Sequence, residues 1–423
     1  MICKITAFFA LLFSINALSA TVNNVKGFNL IENAPLVFDA AVDASAPKTP
    51  AQFAVDKAKK LGANHIILNL KATMTGPRSS EIIPVTPPAD RSAEKQRIAR
   101  LVKYARSLGM TVGFRPIFFV LGPNGEFPFS EKQPDGTMKI WWHGNIQPDD
   151  PNRWFESFKI FLDSYLTLGA ILKIDEFTVG AELYSMTVGI EDQWLAYPYG
   201  FPGRWLQLLR YVRTKLPTSR LMYDINFTDD RVNSNGVGTT GGEFERWRYR
   251  LVDLANRPNP EEQQIWKDLS AFWNELDAIG IDVYRSLSST NQVIPKDFPK
   301  LVDTLKQRTD SFATQMDNSM GEISLTLGSE KPVMFKELGF RSVELGFIDP
   351  FSYAGSGTPN VTHQAAALQA YFDSFWTPGW PWFKGFSFWE ISLDPAKEGP
   401  MDNGFSPVGK KESEDVILKY FKP

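Results

Sequence analysis

Cysteine is nearly absent. The one cysteine among 423 residues is Cys3, at the very start. The rest of the chain therefore makes no disulfide, offers no thiol nucleophile and gives no sulfur ligand to a metal. Histidine is scarce too, with three residues, and no His or Cys cluster accompanies any of them, so no metal site is expected. Charge of one sign does not dominate: 45 Lys and Arg against 48 Asp and Glu leave a net charge of −3. Both signs are dispersed, which argues against nucleic acid as partner. Beyond the first twenty residues there is no long apolar run, so no membrane span is expected in the mature chain. A glycine-rich fingerprint after the first strand is also missing, which lowers the case for an open dinucleotide-binding sheet and leaves no cofactor called for.

What is present begins with a leader. Residues 1–20 carry Lys4, an apolar core from Ile5 to Ile15 and small residues at Ser19 and Ala20, the pattern of a cleaved secretory signal. The expected product is an exported protein, secreted or periplasmic, with residues 21–423 forming one domain and one monomer. Aromatic residues make up 13 % of the chain, including 12 Trp. Most must fill a core. An extracellular sugar cleft also uses such rings, because the apolar faces of pyranoses stack on them, and composition alone leaves that choice open.

Three segments share one design. Residues 51–70 (AQFAVDKAKKLGANHIILNL), 96–116 (QRIARLVKYARSLGMTVGFRP) and 157–180 (SFKIFLDSYLTLGAILKIDEFTVG) each read as an amphipathic helix, a Leu-Gly stop, then a strand. Further strands are expected at 26–31, 220–227, 278–284, 332–340 and 383–391, with helices between them. Eight strand–helix units predict an α/β fold, a (β/α)8 TIM barrel. The irregular stretches after strands two, three and five then become long loops on the C-terminal face, where barrel active sites are built. Residues 228–265 are long enough for a lid or small subdomain.

In that frame Glu182 of FTVGAEL ends strand four and Glu337 of MFKELGF ends strand seven, on opposite sides of the barrel mouth. Glycosidic cleavage needs such a pair: one carboxyl protonates the leaving oxygen while the other attacks the anomeric carbon. Alone, either glutamate reads equally well as a charged strand end or an ion-pair partner. Together, in register, they read as catalytic. Glu390 is expected on the opposite face of its strand as a structural pair member, and Glu243 and Glu245 as solvated loop charges.

The same segments carry a family resemblance. KGFNL, GANHIILNL, WWHGNIQPDDPNRWFESFKIFL, FTVGAEL, IGIDVY, KPVMFKELGF, WFKGFSFWEI and the closing DNGFSPVGKKESEDVILKYF occur in an order spread over nearly the whole mature chain. In this the chain resembles clan A of the glycoside hydrolases, and more narrowly glycoside hydrolase family 113, (β/α)8 endo-β-1,4-mannanases. The resemblance implies a retaining double displacement with Glu182 as acid/base and Glu337 as nucleophile. It makes Tyr284 a hydroxyl donor to Glu337 and Trp389 the platform under the sugar. Arg115, Trp142, His143 and Asn226 lie at strand ends or loop starts of the same face, as candidate sugar contacts.

Departures fall on sugar-contact positions. The clan usually has Asn before the strand-four glutamate, where this chain has Ala181. Arg115-Pro116-Ile117 stands where the family tends to show Lys-Pro-His, and Trp142-His143-Gly144 where it shows Trp-Arg-Gly. Three readings therefore stay open: an exported β-1,4-mannanase, a glycosidase of amino-sugar polymers such as chitosan or peptidoglycan, and a non-catalytic carbohydrate-binding barrel.

Overall fold

The computed structural model describes residues 24–31, 48–189, 197–234, 237–352, 357–394 and 396–422. The leader expected over residues 1–20 lies outside them. Eight parallel strands form the centre: β1 (Val25–Ile31), β2 (His65–Thr75), β3 (Thr111–Leu121), β4 (Glu176–Ala181), β5 (Arg220–Thr228), β6 (Ala278–Tyr284), β7 (Val333–Leu338) and β8 (Phe383–Ser392). Each pairs with the next, and β1 pairs with both β2 and β8, so the sheet closes. This is the (β/α)8 barrel that the alternation of helix and strand patterns predicts.

Helices of the described residues cover it: α1 (Pro50–Lys60), α2 (Arg91–Ser107), α3 (Pro151–Leu172), α4 (Pro202–Lys215), α5 (Pro260–Glu275), α6 (Phe298–Leu327), α7 (Val361–Tyr371) and α8 (Lys411–Phe421). Thr49, Asp150, Asn259, Asp297 and Asn360 each stand just before one of them, and their side chains accept an amide of its first turn. Among the described residues no helix is long and apolar enough to cross a membrane.

The Leu-Gly stops hold in two of three cases. Gly62 and Gly109 take the left-handed conformation, with φ +89° and +73°. Gly169 does not stop α3. The helix runs on to Leu172 and ends in a left-handed Lys173. Gly169 serves packing instead, because a Cβ there would stand 2.9 Å from Ile174 Cδ1.

Apolar and aromatic side chains fill the space between barrel and helices. Trp154, Trp205, Trp247 and Trp273 are all under 2 % exposed in that layer, so these four rings are core. Inside the barrel the character changes. Val25, Met222, Ala278 and Met334 form an apolar plug, and above it polar residues take over: Asn29, Asn69, Arg115, Asp224, Asp282, Lys336 and Glu337 are all buried. An interior so polar is stable only if each group finds a partner, and that requirement organises the site.

Residues 228–265 hold more structure than a lid. A short hairpin (Arg231–Ser234 with Val237–Thr240) leads into a helix, Gly242–Val252. Phe244 and Trp247 of that helix pack against Phe227 and Trp273. The expectation that Glu243 and Glu245 are solvated is overturned, since they are 2 % and 4 % exposed. Glu245 accepts from Gln315 and Ser319 of α6 at 2.8 and 3.0 Å, so it ties the insertion to the barrel's helical ring.

Candidate active site

Three of the strands that carry site residues also carry a β-bulge near their C-terminal end. On β4, Thr178 and Ala181 pair with Met222 and Asp224, three steps against two. On β7, Phe335 and Glu337 pair with Ile281 and Asp282, two steps against one. On β8, Phe388 and Ile391 pair with Phe28 and Leu30, again three against two. A bulge inserts one residue and re-aims the side chains that follow it. On β7 it lets the consecutive residues Lys336 and Glu337 both turn into the barrel.

Lys336 reaches Glu176 on β4. Glu337, 5 % exposed, is gripped from two sides. Tyr284 Oη donates to its Oε2 at 2.7 Å, and Arg115 Nη1 donates to its Oε1. Tyr284 is thus the hydroxyl donor that the resemblance implies. Arg115 spreads its fork over three acids, with Nε on Asp224 at 2.8 Å and Nη2 on Asp282 at 2.7 Å. Asn69 Oδ1 accepts from Nη1 at 3.3 Å. The expected sugar contact at Arg115 is therefore first a clamp on carboxylates, one of them Glu337. Gly280 makes room for the cluster, since a Cβ there would lie 2.0 Å from Asp224 Oδ1.

Burial and charge set the protonation of this cluster. Burial pushes the Glu337 carboxyl above the usual range; Arg115 and the Tyr284 hydroxyl pull it down, and Glu182 pushes it up. Burial likewise raises Asp224 and, more strongly, Asp282. Burial alone would weaken the Arg115 proton, but Asp282, Glu337 and Asp224 hold it well above its ordinary value. The guanidinium remains a cation throughout.

Glu182 follows the β4 bulge in a left-handed conformation, φ +53°, which non-glycine residues seldom adopt. Its amide donates to the Asp224 carbonyl at 2.8 Å, and the next amide, Leu183, donates to Tyr223 Oη at 3.0 Å. These two bonds hold the turn. The Glu182 side chain meets His143, Nε2 to Oε2 at 3.0 Å. His143 opens a short turn, His143–Asn145, on the long loop after β3. Trp142 is not in the pocket wall. Its ring braces His143 at 4.9 Å and Tyr184 at 5.7 Å between centroids, so it helps to orient the histidine.

Asn226, a candidate sugar contact, is engaged within the protein. It is 1 % exposed, its Oδ1 accepts from the Glu243 amide at 3.0 Å, and its own amide donates to Glu243 Oε2 at 3.1 Å. It anchors the inserted helix. Tyr223 Oη and Trp247 Nε1 donate to the other oxygen of Glu243, at 3.2 and 3.1 Å. Glu243 thus stands behind the Glu182 turn, through Tyr223.

A pocket of about 340 Å³ opens over these groups, and Arg115, His143, Glu182, Glu337 and Trp389 all line it. Trp389 packs with Ile31, Tyr284 and Phe405 beneath this space. Glu390 lines it as well. The expectation that it points to the opposite face fails because the β8 bulge breaks the two-residue alternation between Trp389 and Glu390. Sequence reasoning also passed over Asp224 and Asp282. Their signal is a lone acid inside a strand rich in apolar residues, in YDINF and GIDVY.

Residues 259–410 match the model of Glycoside Hydrolase Family 113, a segment that contains Tyr284, Glu337 and Trp389 but not Glu182. Among solved structures, a family 113 β-mannanase from Alicyclobacillus acidocaldarius superposes with TM-score 0.60 at 19 % identity, covering 95 % of this chain and 98 % of that one. A second family 113 β-1,4-mannanase gives TM-score 0.56 at 18 % identity, over 95 % and 99 %. A family 5 mannosidase from Rhizomucor miehei gives 0.51 at 10 % identity, over 94 % and 92 %. No curated protein matches the chain in sequence. By fold the whole chain is similar to these glycoside hydrolases. In sequence the similarity to family 113 lies over residues 259–410, the segment of the C-terminal strands.

Proposed function

We propose that this protein is an exported endo-β-1,4-mannanase, with Glu337 as nucleophile and Glu182 as acid/base. One observation carries the reading: the barrel mouth holds two carboxyls in one pocket, each with a different support. Glu337 has two donors, Tyr284 and Arg115, which favour its anionic form. Glu182 has His143 and stands across the barrel on β4.

In the first step a Glu337 oxygen attacks the anomeric carbon, the bond to the leaving sugar breaks, and Glu182 gives its proton to the departing oxygen. In the second, Glu182 takes a proton from water, the water oxygen bonds to the anomeric carbon, and Glu337 leaves as the carboxylate. Arg115 and Tyr284 receive that returning charge in a site already arranged for it. Trp389 offers the flat face under the sugar. Mannan is favoured because the family 113 structures that this barrel resembles are described as β-mannanases. Export rests on the leader pattern of residues 1–20, and one domain and one monomer remain the simplest assembly.

The deciding experiment is digestion of a β-1,4-mannan oligosaccharide followed by proton NMR from the first minutes. Internal cleavage with the β-anomer appearing first is the expected result. An α-anomer appearing first would overturn retention, and turnover of chitosan or peptidoglycan oligomers without mannan would change the polymer.

A further inference from the structure

The pocket contains a third carboxyl that the two-glutamate chemistry leaves unused. Glu390 follows Trp389 on β8, and both line the same space with Lys71 of β2 and with Lys397 and Asp402 of the segment after β8. The buried acids of the barrel interior are each bound by a cation: Asp224, Asp282 and Glu337 by Arg115, and Glu176 by Lys336. Among the described residues nothing hydrogen-bonds or pairs with the Glu390 carboxyl. Half-buried in the pocket wall, this carboxyl is within reach of a ligand that enters the pocket.

We infer that Glu390 is a substrate-recognition residue that, with Lys71 and Lys397, binds adjacent hydroxyl groups of a neutral hexose seated on the nucleophile side of the pocket. The position follows from the strand order. β8 neighbours β7, so a sugar whose anomeric carbon faces Glu337 and whose ring lies on Trp389 extends toward Glu390 and away from Glu182. The chemistry follows from the mixture of signs. A carboxylate accepts from two hydroxyls at once, and an ammonium donates to their oxygens. Asp402 is already paired with Lys410 at 2.9 Å, so a uronate would meet the charge of Glu390, and the ammonium of an amino sugar would meet Lys397. Neutral hydroxyls suit both signs. Burial pushes the Glu390 carboxyl up to about 7, with Lys397 and Lys71 pulling it down and Glu337 and Asp402 pushing it up. It therefore ionises within the neutral range, and its anion is the stronger acceptor.

This inference rests on the assignment of Glu337, and its test separates the two. Binding of a β-1,4-mannan pentasaccharide is measured by calorimetry on Glu337→Ala protein and on that protein carrying Glu390→Gln or Glu390→Ala. A rise in Kd of about 10- to 100-fold is expected for both double variants. The near-isosteric glutamine guards against loss of fold, which circular dichroism checks. In the wild-type background Glu390→Gln should raise KM more than it lowers kcat, and the acid-side rise of KM near pH 7 should vanish. Unchanged Kd and KM overturn the role of Glu390 and leave the catalytic assignment standing. Tighter binding of chitosan or polyuronate oligomers than of mannan overturns neutral-hexose recognition. Binding without hydrolysis by the wild type sinks the catalytic assignment and leaves the Glu390 comparison decisive, whereas no binding of any of the three overturns both.

Discussion

Asp224 joins Glu182 to Glu337. Its backbone carbonyl accepts the Glu182 amide at 2.8 Å, and its carboxylate takes Arg115 Nε at 2.8 Å, while the same guanidinium grips Glu337. One residue of β5 therefore fixes the left-handed turn that presents the first carboxyl and the cation that holds the second. Asp224, Arg115 and Glu337 are buried, so the charged bonds among them are little diluted by water.

Arg115→Met should be costly. It leaves Asp224, Asp282 and Glu337 without their cation, and stranding buried charge costs about 3–5 kcal/mol. Arg115→Lys should fold better yet lose most activity, since a point charge cannot serve three acceptors set around a planar fork. Losing the guanidinium also raises the Glu337 pKa, so the acid limb of kcat/KM should move to higher pH. Urea midpoints and pH–rate profiles read both effects. A lysine variant with wild-type rates would show that the fork is dispensable.

Glu337→Ala should abolish turnover and regain part of it with azide or formate, which fit the vacated space and attack from the same side. Glu182→Gln should lose about 10²- to 10⁴-fold on mannan while keeping most of its rate of glycosyl-enzyme formation on aryl glycosides with good leaving groups. Equal loss on both substrate types would remove Glu182 from the acid role.

Tyr223→Phe tests the support of the Glu182 turn. The Leu183 amide loses its acceptor and Glu243 loses a donor, at about 1–3 kcal/mol for the buried amide. Activity should fall through kcat with KM little changed, because the pocket wall is intact and only the acid is displaced. Thermal melting and steady-state kinetics together check it.

Glu243 predicts a pH-dependent stability. Burial pushes its carboxyl up to about 8 from an ordinary 4.5. Between those values the folded chain holds a proton that the unfolded chain has shed, so the contribution is fully present below 4.5 and is lost as pH rises through about 8. Wild-type protein should therefore lose more Tm between pH 5 and pH 8 than Glu243→Gln. Equal slopes would mean that Glu243 ionises normally in the folded state. Other raised acids, Glu390 among them, contribute to both proteins and cancel in the comparison.

How much of this was legible before the tertiary structure follows from the periods involved. Helix and strand patterns separated by Leu-Gly were enough to count eight units, because a 3.6-residue and a two-residue apolar repeat are local properties. Gly62 and Gly109 did what such glycines do, and Gly169 did not, since its neighbours Ile174 and Leu216 are apparent only once the chain is packed. Glu182 and Glu337 were legible as a pair because both close a strand on the same face.

The sequence by itself thus determined the barrel, since its helix and strand patterns are short-range, and it placed Glu182 and Glu337 at the ends of two strands. The tertiary structure alone decided which neighbours those glutamates have. Bulges on β4, β7 and β8 break the two-residue rule at the site itself. They bring Lys336 and Glu337 inward together, turn Glu390 into the pocket and free Glu182 from the strand. Arg115, read as a contact for sugar, became the hub of three acids from β5, β6 and β7, because a buried cation seeks carboxylates wherever the closed sheet brings them. Those acids lie more than a hundred residues from it in sequence, and only the closure of the barrel brings them within a hydrogen bond.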